Sequence, residues 1–272
     1  MTRGAQLVFD HFAKFGLIMH IGRNGSKSKT EAIFFPPKLG TNQTQQSTSQ
    51  IAVADGYITF TNNFKYLGTT IAADLREDTE IKLRISKAAQ SMGALREFFK
   101  NEHVNLRTKH LIYLAIPVNI LLWGCESWGC AKSHMKKVAA FHHKSIRSIL
   151  GINMHQVQED RIKNEQVRER FLNIRPIEDI IAERQLRWMG KLSRMDGHRM
   201  PKQLLTAWCN NPRPRGRPQQ TIRHCLVSAL QRILPDIPSS GRTAHWTHLA
   251  EDPKIWSELM ASAGLRQQCV SR

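Results

Sequence analysis

The chain has 272 residues, 41% of them hydrophobic, enough for one or two domains that each bury a core. Lys and Arg number 40 against 22 Asp and Glu, so the net charge of +18 and a pI near 10.2 create a field that attracts polyanions; a basic surface serving only solubility is the plain alternative. Five cysteines, Cys125, Cys130, Cys209, Cys225 and Cys269, without a Cys-x-x-Cys pair, argue against a disulfide scaffold and a zinc ribbon; with no secretory signal pattern, an intracellular protein with reduced thiols, cytoplasmic or nuclear, is expected.

Along the chain, Val8, Phe12 and Phe15 recur at helical spacing and Gly16 closes the pattern, which predicts a short helix over 5–16. Ala32 to Phe35 reads as a strand stopped by Pro36-Pro37, and Thr41 to Gln50 as a polar, flexible loop. Ile51–Ala54 and Tyr57–Phe60 flank Asp55-Gly56, a dipeptide suited to a tight hairpin turn, and a third strand covers Phe64 to Leu67.

From Glu77 the period becomes helical, with Ile81, Ile85, Ala88, Met92, Leu95 and Phe99 on one stripe. Leu111 to Gly124 is the most apolar stretch, but at about 14 residues with Pro117 and Asn119 inside it falls short of a membrane span and predicts a buried helix kinked at the proline. A further helix carries Met135, Val138, Ala139, His142, Ile146 and Ile149 inward, with Lys136, Lys137, Lys144 and Arg147 turned elsewhere.

Pro176, in the favoured first-turn position, opens a helix that buries Ile177, Ile180, Ile181, Trp188 and Leu192 and carries Arg184, Arg187, Lys191 and Arg194 along its edge. Such strips are commonly mere solvated faces; two of one sign favour a polyanion partner. Asp196 to Pro218 reads as a basic linker, with short helices at Thr221–Leu234 and Pro253–Ala263. The expected fold is therefore α+β, mostly α: a small antiparallel β element over 1–75, a helical domain over 76–195, a linker over 196–220 and a helical segment over 221–272. The basic excess rises along it, with seven basic and four acidic residues over 1–75, thirteen and eight over 76–160, and twenty and ten over 161–272.

Several short words follow one another in a set order: Phe15-Gly16-Leu17, then Lys27-Ser28-Lys29-Thr30, then Phe64-Lys65-Tyr66-Leu67-Gly68. Beyond them come Glu80-Ile81-Lys82-Leu83-Arg84-Ile85, Leu122-Trp123-Gly124-Cys125-Glu126-Ser127-Trp128, Arg187-Trp188-Met189-Gly190-Lys191-Leu192 and Gly216-Arg217-Pro218. In this order the chain resembles the C-terminal part of a non-LTR (LINE-type) retrotransposon reverse transcriptase, from the end of the palm through a thumb-like helical domain and beyond.

The resemblance implies that Lys29 sits beside an incoming triphosphate, an assignment shared with nearby Lys27, and that Phe64, Lys65, Tyr66, Leu67 and Gly68 form a primer grip. It also implies binding of RNA or DNA as a template–primer duplex, with Mg²⁺ needed by an intact parent polymerase and no cofactor held by this chain alone. Two-metal polymerases hold their ions with clustered Asp residues, including an adjacent pair. Among Asp10, Asp55, Asp74, Asp78, Asp160, Asp179, Asp196, Asp236 and Asp252 no two are adjacent, so the chain reads as a truncated remnant expected not to polymerise alone. A non-enzymatic nucleic-acid-binding protein and an inert retroelement remnant are the alternatives.

Cys125, Cys130, His134, His142 and His143 crowd into 19 residues, but the Cys-x₄-Cys spacing is unusual for zinc and His142 falls on an apolar stripe, so no metal site is expected and Cys125 is read as a core residue. Pro212-Arg213-Pro214-Arg215-Gly216-Arg217-Pro218 holds Arg213, Arg215 and Arg217 in a stretch resembling an AT-hook; a basic linker making phosphate contacts is the commoner outcome.

Overall fold

In a computed structural model, residues 2–23, 26–35, 50–74, 76–129, 131–206, 222–237 and 245–269 are described. The fold is mostly helical with a small, largely antiparallel β element, as expected. The contacts divide the chain into two compact units, Met1–Glu80 and Ile81–Arg272.

In the first unit, α1 (Thr2–Lys14) ends as a helix followed by glycine should. Gly16 takes φ +70°, the Leu17 N–H donates to the Phe12 carbonyl at 2.9 Å and the Gly16 N–H to that of Ala13 at 3.0 Å, which satisfies two carbonyls of the last turn. The packed side of α1 differs from the one its period suggests. Ala5 and Phe9 pack on the small core of Ile21, Val53 and Ile58, whereas Val8 and Phe12 are largely exposed and Phe15 is 78% exposed. The Gln6 side chain fixes this choice by accepting the Ala54 N–H at 2.8 Å, which pins α1 to a hairpin.

That hairpin joins β2 (Gln50–Val53) to β3 (Gly56–Phe60), with β1 (Glu31–Ala32) parallel on the far side of β3. The expected strand over 32–35 shrinks to these two residues, and 33–35 run irregularly. Register also moves the turn by one position: Val53 pairs with Gly56, so Ala54-Asp55 form the loop, with Ala54 at φ 50°. Gly56 pairs within the strand, and the position requires glycine because a Cβ there would lie 2.3 Å from the Gly22 carbonyl oxygen. The polar tract 41–49 lies outside the described residues.

The strand expected over 64–67 is β4 (Asn63–Tyr66), and it has a partner that the sequence pattern did not reveal, β5 (Thr69–Ala72). Leu67 at φ 46° and Gly68 at φ 88° form the two-residue turn between them, the positive backbone angles such a hairpin requires.

In the second unit the stripe from Ile81 to Phe99 is buried as expected but is carried on two helices, α2 (Asp78–Ala94) and α3 (Arg96–Lys100). The apolar stretch 111–124 is helical around Pro117: α4 (Leu106–Tyr113) passes into a π-helical turn, Leu114–Val118, and then α5 (Asn119–Leu121). Proline has no N–H and clashes with the preceding turn; the wider π turn absorbs both defects. A 3₁₀ turn, Cys125–Ser127, follows Gly124, whose φ of 75° redirects the chain.

Helix α6 (Lys132–Leu150) buries Val138, His142, Ile146 and Ile149. The short α7 (Met154–Glu159) and α8 (Asn164–Arg170) lead to α9 (Ile177–Ser193), which starts one residue later than expected because Pro176 caps it. The expected linker contains a helix at its start, α10 (Met200–Thr206). The C-terminal segment then supplies α11 (Ile222–Ile233), an unforeseen α12 (His245–Glu251) and α13 (Pro253–Cys269).

Helix α9 belongs to two cores. Its start, Ile177 and Ile181, joins the cluster around Tyr113, Leu121, Ile146 and Phe171. Its middle and end, Ala182, Leu186, Met189 and Leu192, join a second cluster with Leu226, Leu230 and Ile233 of α11, Ala250 of α12 and Trp256 of α13. Among the described residues no helix is long and apolar enough to cross a membrane.

Candidate nucleic-acid interface

On α9 the residues 184, 187, 188 and 191 follow the spacing i, i+3, i+4, i+7 and so share one face, about 10 Å long. Across from them lies the turn that begins at Gly124. Together Arg184, Arg187, Trp188 and Lys191 line a shallow cleft of about 480 Å³ whose other wall is Gly124, Glu126 and Ser127. Three cations thus face one carboxylate.

A buried amide holds the two walls together. Gln185 Nε2 donates to the backbone carbonyls of Trp128 at 2.9 Å and Cys125 at 3.2 Å. Arg184 reinforces the arrangement by donating to Asn119 Oδ1 on α5. Arg187 is steadied through its Nε, which donates to Glu183 Oε1 at 2.8 Å, while Glu183 also takes a hydrogen bond from Arg175. Burial works to raise the Glu183 pKa, but these two guanidinium hydrogen bonds outweigh it and hold the carboxyl below its ordinary value.

Three of the four arginines and lysines expected on the α9 edge therefore come together. Arg194 does not: its Nη1 donates to the Ala250 carbonyl at 2.7 Å and ties α9 to α12. On α6, Lys136, Lys137, Lys144 and Arg147 fall within one arc of about 100°, with the lysines exposed and Arg147 donating to Asn164 Oδ1 at 3.2 Å. None of them lines the cleft. Arg213, Arg215 and Arg217 lie outside the described residues.

In the first unit Lys29 is exposed, and its backbone N–H donates to His20 Nδ1 at 3.2 Å; Lys27 is exposed as well. Ser28 between them is buried, with its hydroxyl donating to the Thr30 carbonyl at 2.7 Å, so both ammonium groups are held outward by one tight turn. Phe64, Lys65, Tyr66, Leu67 and Gly68 sit on the β4–β5 hairpin and its turn. Phe64 is half-buried, Lys65 is exposed, and Tyr66 and Leu67 are 57% and 79% exposed.

Cys125 is fully buried in the 3₁₀ turn; burial, helped by the neighbouring Glu126 carboxylate, pushes its thiol up to about 12. It is a packed thiol, not an activated nucleophile. His142 is likewise interior and shares a 2.9 Å hydrogen bond with the Tyr113 hydroxyl; burial, aided by His143, lowers it to about 3. Cys130 lies outside the described residues, among which no group of three His, Cys, Asp or Glu could hold a metal.

Sequence reasoning missed Gln185, Glu126 and Ser127 as parts of a site; Trp188, expected in the core, packs on the second core with one side and is a half-buried wall of the cleft with the other. One signal was present for Gln185: it continues the series Ile177, Ile181 at intervals of four, which puts an amide among buried positions. No protein-family model, no curated protein and no solved structure matches the chain.

Proposed function

We propose that this chain binds nucleic acid, with the α9 cleft as a principal contact, and that it represents the C-terminal part of a LINE-type reverse transcriptase that does not polymerise alone. The observation that carries the reading is the gathering of Arg184, Arg187 and Lys191 about Trp188 on one helix face. Guanidinium and ammonium groups neutralise phosphates, and an aromatic wall offers a base a stacking surface. The net charge of +18 supplies long-range attraction, and the exposed lysines of α6 extend the basic surface. A cytoplasmic or nuclear location fits such a partner.

Phosphate contacts release counterions, so affinity should fall linearly with salt on logarithmic axes. Filter binding of RNA, DNA and a template–primer duplex between 50 and 300 mM salt is expected to give a slope of about −3 or steeper. Absence of binding at the lowest salt overturns the reading. The same protein with primer–template, nucleotides and Mg²⁺ is expected to incorporate nothing, because the sequence holds no adjacent Asp pair for two ions. Template-dependent extension would reverse that half of the proposal.

A further inference from the structure

We infer that the α9 cleft is a subsite for one unpaired nucleotide, with its base on Trp188 and its phosphate on Arg187 and Lys191; this rests on the nucleic-acid reading above. A duplex keeps its bases stacked inside and offers a protein surface mainly phosphate and groove edges. A tryptophan set among cations in a hollow does nothing for that ligand, but stacks any base that is splayed from a single strand. The volume of about 480 Å³ lies within the range of small-ligand clefts.

The charges also fix a direction. Arg187 spends only its Nε on Glu183, and Lys191 makes no hydrogen bond or ion pair among the described residues, so both retain donors for a phosphate. Glu126, on the opposite wall, repels a phosphate there. The phosphate therefore belongs at the C-terminal end of the α9 face, and Glu126 meets a part of the ligand that donates hydrogen bonds, a base or sugar edge. Because Gln185 locks the turn to α9, the cleft is formed before the ligand arrives and little ordering cost is paid on binding.

The test uses the full chain, fluorescein-labelled ten-nucleotide single-stranded RNA and DNA, and a ten-base-pair duplex. Trp188→Leu is expected to weaken single-strand binding about tenfold or more while leaving duplex binding within about twofold. The double variant Arg187→Ala/Lys191→Ala should lower both affinities and reduce the salt slope by about two. Trp188 also packs against the second core, so Trp188→Phe provides a variant with a retained ring: it should bind as wild type does, but lose the quenching of tryptophan emission that an unlabelled single strand produces in the wild type. Quenching that is undiminished in Trp188→Phe, or a folded Trp188→Leu that binds single strands as before, overturns the subsite while the nucleic-acid reading stands. A wild-type chain that binds none of the three probes overturns both.

Discussion

Gln185 carries more of the cleft's geometry than any cation in it. Its amide answers two carbonyls, and an apolar replacement would take the donor from that of Trp128 while that of Cys125 keeps the Trp128 N–H at 3.2 Å. Gln185→Leu is expected to cost about 1–3 kcal/mol in denaturant unfolding. A loss below a few tenths would show that the Trp128 carbonyl finds water instead. His142 sets a second residue-scale expectation. In the unfolded chain it takes up a proton near its ordinary pKa, whereas in the fold it stays neutral until about 3. The unfolded state therefore binds the extra proton across that interval, and stability falls as pH drops from about 6.5 towards 3, by at most about 1.4 kcal/mol per pH unit. Burial also lowers His110 and His143, which adds to the slope in the same direction. Glu183 adds its own loss in more acid solution, because a carboxyl held below its ordinary pKa stabilises the fold only while ionised. Unfolding curves at pH 7.5, 6 and 5 are expected to show the decline, and His142→Gln to flatten it by about one proton. These interior groups were only partly legible in the sequence: His142 fell on the apolar stripe of its helix, but its bond to Tyr113 joins residues 29 apart and has no local signature.

At the scale of elements, periodicity found the long helices and their inner faces, because a helix that must bury one side writes that requirement into every third or fourth residue. It failed where a partner decides. Helix α1 has one broad apolar side, and the Gln6–Ala54 hydrogen bond with the packing of Ala5 and Phe9 selects the edge of it that faces the core. Strand β5 is four residues of Thr, Thr, Ile and Ala, unremarkable until β4 pairs with it. Gly190 shows the same dependence from the other side. A Cβ there would lie 2.4 Å from Trp256 Nε1, so the glycine marks the point where α13 meets α9, and the indole donates to the Leu186 carbonyl at 3.3 Å. Gly190→Ala is expected to displace that ring and destabilise the fold by about 1–3 kcal/mol, read as a fall in melting temperature; an unchanged value would mean that α13 shifts without penalty.

For the whole molecule, composition and periodicity identified the class of fold and the uneven charge. What they did not convey is how the C-terminal segment is used. A composition change after residue 195 looks like the edge of a domain, yet α11, α12 and α13 close a core on α9. The basic edge of α9 was legible as a stripe of charge; that it faces a turn some 60 residues away, with Trp188 between the cations, required the fold.

Because α9 is built into both clusters of the second unit, losing it would open both. Amide hydrogen exchange is expected to find the central turns of α9 among the slowest sites of that unit, with both clusters opening together. If α9 exchanges as fast as α10, the two clusters unfold independently. The helix that would hold the nucleotide is thus the one whose loss dissolves both interiors. By linkage, a strand bound on its outer face would protect residues as distant in sequence as Tyr113 and Trp256 by the same free energy, set only by its concentration relative to its dissociation constant.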